Sequence, residues 1–208
     1  MIIHTHDYIQ KFHSFISDNS FHTIHNDPTT KYHNTIHKAL QHCDRTVDKK
    51  QIKHLIQENT TPPTLNALLK LHKPNIPIRP VVNNRSAPSY KIAKKLNTIL
   101  NHNLHLDNQY TATNSNTLAN VVTKLKITPN HRLLTLDIKD LYVNIPISES
   151  LTSPKPNFWR IMMYNQIIML LETILNQNYF SFQGQIYQPD KGVAMGSPTS
   201  GTMAEIFL

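Results

Sequence analysis

The residues best suited to chemistry lie in one short stretch around Asp137. Apolar side chains run through residues 133–138 on either side of this carboxylate, and Tyr142 follows five positions after it. A short run of apolar and β-branched residues predicts a buried strand. A buried carboxylate must be paired, hydrogen-bonded or bound to a metal, because its charge is costly to remove from water. Asp137 is therefore a candidate metal ligand; the alternative is a surface strand in which Asp137 caps the next turn.

A second stretch, residues 191–198, reads Lys-Gly-Val-Ala-Met-Gly-Ser-Pro and holds two of the four glycines in the chain. Glycine lacks a Cβ, so the backbone at Gly192 and Gly196 could approach a nucleotide or a template strand closely. A helix is expected to begin after Pro198.

A third feature is a span of the chain that contains basic residues and no acidic ones. Residues 59–105 contain no Asp or Glu. A run like this is often only a solvated face, but two strands and a helix present it with no acidic residue to neutralise it locally, which favours phosphate binding. The basic residues of the span are Lys70, Lys73, Arg79, Arg85, Lys91, Lys94 and Lys95.

Composition points the same way. The chain has 208 residues and a formal net charge of +8 without its 13 histidines, which favours a polyanionic partner. The single cysteine, Cys43, excludes an intrachain disulfide and fits a reducing compartment. No apolar run reaches membrane-spanning length, so we expect an intracellular protein without a membrane partner.

The elements that must position these residues are predicted to form an α+β fold. A β-hairpin with a basic turn precedes the Asp137 stretch, and a second compact hairpin precedes the glycine stretch. The predicted elements, in chain order, are strands at 64–70 and 78–82, helices at 89–105 and 114–126, a loop at 148–160, a buried core helix at 161–175 and a hairpin at 179–188. In the helix at 114–126, the side chains expected to face inward are Leu118, Val121, Val122 and Leu125.

Residues 1–60 are predicted to form a separate, mostly helical segment rich in His and Asn, with the Pro62-Pro63 pair marking its boundary with a domain at 61–208. His33 and His37 stand one helical turn apart, but the zinc-protease Glu is missing there, so a solvated helix face is preferred to a metal site.

The motifs resemble those of reverse transcriptases. The spacing of Asp137 and Tyr142 is similar to motif A, residues 192–198 to motif B, and Leu71-His72-Lys73-Pro74 with residues 78–82 to the fingers motifs. Asn144-Ile145-Pro146 after the first motif, and Asn178-Tyr179-Phe180 before the second, are most similar to Penelope-like retroelements, relatives of telomerase reverse transcriptase. The resemblance covers about residues 62–208 and implies the fingers and partial palm of a right-hand polymerase, an antiparallel sheet with packed helices.

The resemblance also implies a function and a set of roles. The function is RNA-directed DNA synthesis with Mg²⁺ or Mn²⁺, a dNTP, an RNA template and a DNA primer, in the nucleus. Asp137 would be the catalytic metal ligand, the Ile138 carbonyl would assist it, Asp140 would lie beside the triphosphate and Tyr142 would sense the sugar. The remaining implied contacts are Lys73 and Arg79 to the triphosphate, Gly192, Met195 and Gly196 to the nucleotide and template, and Arg85, Lys91, Lys94, Lys95 and Lys191 to nucleic acid.

Two departures from the family limit this expectation. The family's paired-Asp motif C should follow motif B, yet no Asp-Asp pair occurs in the sequence, and Lys191 stands where some relatives have Gln. The irregular residues 148–160 replace a regular helix of the family. We therefore expect a fragment ending at motif B that is inactive alone. The alternatives are a basic nucleic-acid-binding remnant without chemistry and a decayed fragment that does not fold stably.

Overall fold

The structure, a computed structural model, describes residues 3–44, 46–104, 112, 114–152 and 164–208. It confirms the α+β class. The strands are β1 (Phe21–Ile24), β2 (Thr64–Leu69), β3 (Ile78–Asn83), β4 (Phe180–Phe182) and β5 (Gln185–Pro189). The helices among the described residues are α1 (Thr5–Asp18), α2 (Thr29–Gln41), α3 (Lys49–Leu55), α4 (Tyr90–Asn103), α5 (Ser115–Val122), α6 (Leu141–Asn144), α7 (Ile147–Thr152), α8 (Tyr164–Leu175) and α9 (Ser200–Phe207).

Both predicted hairpins are confirmed, because their turns and strand patterns are local signals. β2 and β3 pair antiparallel in register from Thr64↔Asn83 to Leu69↔Ile78. β4 and β5 are joined by Gln183 and Gly184, whose φ angles of 50° and 80° suit the tight turn of a two-residue hairpin. The predicted helices α4 and α9 are confirmed as well.

The five strands form one sheet in the order β1-β5-β4-β2-β3. The expectation of an antiparallel sheet needs correction, because β2 and β4 pair in parallel at Thr64↔Ser181. These two strands are not joined by a hairpin, so no tight turn forces them to run in opposite directions. β3 is an edge strand, and this position allows Pro80 within it, since an edge strand can leave one side of its backbone without ladder bonds.

The first 60 residues contribute to the same sheet and cores as the rest of the chain. The segment is mostly helical, as expected, and it also contributes the short strand β1, which pairs with β5. α1 packs on the sheet through Phe12, whose ring stacks on Phe182 with centroids 3.8 Å apart. The predicted boundary near residue 60 therefore does not coincide with a break between hydrophobic cores.

A second core lies between the helices. α8 is its centre, and the predicted core helix is confirmed over the described residues from Tyr164 onwards; residues 161–163 lie outside the described part. Helices α2, α4, α7 and α9 contribute side chains to the same core. The best-buried members include Leu40, Leu96, Leu100, Leu170, Leu171 and Met203.

Two local predictions are wrong. α5 forms with Asn114 as its N-cap, but the apolar residues expected to face inward are exposed, because no described element covers them. The predicted loop at 148–160 is helical up to Thr152, where α7 follows Pro146 and the Ser150 amide bonds the Pro146 carbonyl at 3.0 Å. Residues 153–160 lie outside the described part.

In the part of the chain that the structure describes, no helix combines the length and apolarity needed to cross a bilayer.

Candidate functional site

Asp137 lies in an irregular, exposed segment. The predicted buried strand is wrong: residues 133–138 form no strand, and Leu133, Leu134 and Leu136 are 81%, 78% and 88% exposed. An extended segment becomes a buried strand only when a neighbouring strand pairs with it and a core covers one face. Neither is present among the described residues.

The Asp137 carboxylate is exposed to solvent and lies near one cation. Its side chain is 86% exposed, and its Oδ2 lies 3.8 Å from the Lys73 ammonium. An exposed ion pair of this kind contributes at most about 1 kcal/mol. The pair is therefore easily exchanged for a ligand, and it shows that the β2–β3 turn reaches the Asp137 segment.

The glycine stretch passes between two backbone segments. At Gly192, with φ of 84°, a Cβ would lie 2.5 Å from the Val143 carbonyl oxygen, and the next amide, Val193, bonds the Tyr142 carbonyl at 2.8 Å. At Gly196, with φ of 112°, a Cβ would collide with the Val82 carbonyl.

The two glycines thus permit close approach of the protein's own backbone. This stretch also binds the outer edge of β3, because the Val82 amide donates a hydrogen bond to the Met195 carbonyl at 2.8 Å. A large cleft lies beside the β2–β3 turn, and its described lining includes Met195 but not Gly192 or Gly196. The predicted nucleotide contact of these glycines stays a prediction.

One large cleft joins the segments predicted to carry function. It has a volume of about 1390 Å³ and lies between the β2–β3 turn, α1, residues 136–143 and residues 191–195. Its basic lining residues are Lys11, Lys70, Lys73, Arg79, Lys139 and Lys191, and its acidic ones are Asp18, Asp137 and Asp140. Six cations against three carboxylates make the described lining positive, which favours an anionic ligand.

The short helix α6 forms one wall of this cleft. Asp140 precedes it in a left-handed conformation, with φ of 51°, and its carbonyl accepts a hydrogen bond from the Asn144 amide group at 3.0 Å. Tyr142 is half-buried, packs against the helical core and lines the cleft. Ile138 also lines the cleft. The structure therefore brings the predicted residues Asp137, Ile138, Asp140 and Tyr142 together.

Four of the predicted nucleic-acid contacts lie elsewhere. Arg85 and the α4 residues Lys94 and Lys95 are not in the described cleft lining, and Lys91 donates to the Ile56 carbonyl at 3.1 Å, which ties α4 to the end of α3. Lys191, by contrast, is in the cleft. A role for the α4 cations requires a ligand that extends beyond the cleft.

Sequence reasoning missed Lys11, Lys70 and Lys139 as site residues. Lys70 was visible as part of the acid-free span and Lys139 as a neighbour of Asp137. Lys11 had no such signal, because its place depends on α1 packing against a sheet built from distant residues.

The described residues do not complete a site for two metal ions. They contain no group of three or more His, Cys, Asp or Glu side chains close enough to hold a metal. Asp137, Asp140 and the Ile138 carbonyl could supply oxygen ligands, but Mg²⁺ is octahedral, and two ions about 4 Å apart require more carboxylate oxygens than these. Mg²⁺ or Mn²⁺ binding stays a prediction, and no catalytic step is derived from it.

Comparison of the chain with protein-family models, with curated proteins and with solved structures gives no significant match. The assignment of function therefore rests on the residues of the cleft and on the resemblance of their motifs.

Proposed function

We propose that the chain is the fingers and part of the palm of a reverse transcriptase of the Penelope-like kind, an RNA-directed DNA polymerase. In this proposal the cleft receives the triphosphate of a dNTP and the paired end of an RNA template and DNA primer. The observation that carries the proposal is that the three resembling segments, around Lys73, Asp137 and Lys191, line one positive cleft although they are far apart in sequence.

The cleft has the chemistry that a triphosphate requires. Lys73 and Arg79 come from the same hairpin, and Lys191 comes from the segment bound to the edge of β3. Ammonium and guanidinium groups form charge-assisted hydrogen bonds with phosphate oxygens, which are about twice as strong as neutral ones. The half-buried Tyr142 ring offers a flat surface beside them for a sugar or base.

Polymerisation by this chain alone is not expected. The sequence has no adjacent Asp pair, and the described residues do not complete a two-ion site. A primer-extension assay with the purified chain should therefore give no product, and template-dependent synthesis would contradict this expectation.

Binding of a labelled RNA–DNA hybrid, followed by fluorescence anisotropy at several salt concentrations, tests the cleft. The double change Lys73→Ala and Arg79→Ala should weaken binding at least tenfold and should reduce the salt dependence, because fewer phosphates are neutralised. The matched control is Lys31→Ala with Lys38→Ala, which removes the same charge from the exposed face of α2. Equal losses for both pairs would show that net charge, and not the cleft, binds the hybrid.

A second function, a basic binding module without chemistry, is favoured by one observation. Asp137 is exposed and paired only with Lys73 among the described residues, so it lacks the further carboxylates of a metal centre. Asp137→Asn discriminates the two functions. A polymerase remnant should lose Mg²⁺-dependent dNTP binding in this variant, whereas a simple binding module should bind hybrid and dNTP as before, with or without Mg²⁺.

A further inference from the structure

Helix α1 contacts the turn that carries Lys73. The Lys11 ammonium donates a hydrogen bond to the carbonyl oxygen of Asn75 at 2.6 Å, although the two residues are 64 positions apart. The helix belongs to the N-terminal segment, to which the sequence motifs assign no role. The contact joins this segment directly to the β2–β3 turn, which carries Lys73 in the proposed phosphate site.

The position of α1 is fixed by aromatic packing on the sheet. Phe12, the neighbour of Lys11, is fully buried, stacks on Phe182 and meets Tyr187 edge-on with centroids 5.3 Å apart. Phe15 packs against Phe21 at 5.4 Å. Lys11 is therefore held on a rigid support at the side of the cleft.

The turn itself is poorly supported. Asn75 and Ile76 have φ angles of 59° and 46°, and a β-branched residue such as Ile76 is strained in this region. Residues 71–75 are exposed, and the amides of Lys70, Lys73 and Ile76 bond only carbonyls within the turn, at 2.9, 3.1 and 3.2 Å. Contacts that reach this turn from outside include the Lys11 hydrogen bond to Asn75 and the exposed Lys73–Asp137 ion pair at 3.8 Å. The ion pair is longer and solvent-screened, so we expect the Lys11 contact to be the stronger restraint.

We infer that Lys11 is a positioning residue that restrains the β2–β3 turn through the Asn75 carbonyl and thereby holds Lys73 opposite Asp137. The restraint follows from the contacts alone. Its consequence for ligand binding rests on the proposed function, since Lys73 matters only if the cleft takes phosphate.

Amide hydrogen exchange tests the restraint without any ligand. In Lys11→Met, exchange at Lys70, Lys73 and Ile76 should become about tenfold faster, the effect of losing one charge-assisted hydrogen bond from a local opening. Lys11→Arg retains a donor and should restore the slow exchange. Lys31→Met on α2, with equal loss of charge, should exchange like the parent protein.

Unchanged exchange of the turn in Lys11→Met would overturn the inference. So would an equal rise in β4 and β5, because it would show a destabilised fold instead of a released turn. Affinity for inorganic tripolyphosphate, measured by calorimetry, supplies the second readout. It should fall several-fold in Lys11→Met and recover in Lys11→Arg. A mobile turn with unchanged affinity supports the restraint and counts against the proposed cleft.

Discussion

Single residues determine how closely residues 191–198 lie against β3. Gly196 combines a φ of 112° with a Val82 carbonyl in the place of a Cβ, and Gly201, near the start of α9, has no atom within 4 Å of a built Cβ. The pair offers a matched test, because the same Gly→Ala change meets backbone at one position and open space at the other.

We predict that Gly196→Ala lowers the free energy of unfolding by roughly 1–3 kcal/mol, from strain and from the lost approach to Val82. Gly201→Ala should be neutral or stabilising by up to about 1 kcal/mol, because Ala is the better helix former. Urea unfolding followed by circular dichroism measures both. A similar effect at both positions would contradict the close packing of Gly196.

Cys43 is the single cysteine of the chain, and its burial alters the titration of the thiol. Burial, with a smaller contribution from the Asp44 carboxylate, raises the pKa of this thiol from 9.0 to about 11. The folded chain therefore binds the thiol proton more tightly than the unfolded chain, so stability is full below pH 9 and falls as the pH rises to about 11.

The prediction is a loss of stability across this alkaline range that is smaller in Cys43→Ala. Urea unfolding midpoints at several pH values measure it, with each protein compared with itself at neutral pH so that the cavity left by the substitution cancels. The buried tyrosines Tyr179 and Tyr187, whose pKa values burial also raises, contribute the same loss to both proteins. Identical pH dependence in the two proteins would contradict a protected thiol.

At the scale of elements, residues 133–138 are the most unusual segment. Leu133, Leu134 and Leu136 are each at least 78% exposed, and the apolar residues of α5 are exposed as well. Exposed apolar side chains promote association and bind hydrophobic dyes when they lie close together.

We predict that Leu134→Ser with Leu136→Ser lowers the binding of such a dye and the tendency to aggregate while leaving the thermal midpoint unchanged. Leu100→Ser, the same change at a fully buried position of α4, should instead cost roughly 2–5 kcal/mol. Dye fluorescence and thermal melting measure both. A large loss of stability in the first variant would show that these leucines are buried.

The elements also show which structure can be read from sequence. The two hairpins and helix α4 depend on residues that are neighbours in the chain, and their predictions are confirmed. Whether residues 133–136 and the apolar side chains of α5 are buried depends on contacts with segments that are distant in the chain. The local apolar pattern alone could not determine it, and these side chains are exposed. β1 was missed for the related reason that four residues form a strand only because β5 pairs with them.

At the scale of the whole molecule, the fold concentrates cations that the sequence spreads over its length. The resemblance implied one site for Asp137 and the nucleotide contacts, and the structure places all of these residues except Gly192 and Gly196 in the described lining of one cleft. The residues in the lining are Lys73, Arg79, Asp137, Asp140, Tyr142 and Met195, and their roles stay predictions. The resemblance did not include Lys11, because α1 reaches the cleft only through the packing of Phe12 on the sheet. The α4 cations, which were implied contacts to nucleic acid, lie outside the described cleft lining, although Lys70, Lys73 and Arg79 of the same acid-free span belong to it.

We propose that the segments around Lys73, Asp137 and Lys191, which line one cleft, form a single site for a triphosphate. Photo-crosslinking of a reactive nucleoside triphosphate, with the modified peptides identified by mass spectrometry, tests it directly. We expect labelling within residues 70–79, 136–143 and 191–195, and we expect unmodified dNTP and tripolyphosphate to compete with it. Labelling confined to α2 or α4, or unaffected by either competitor, would contradict it.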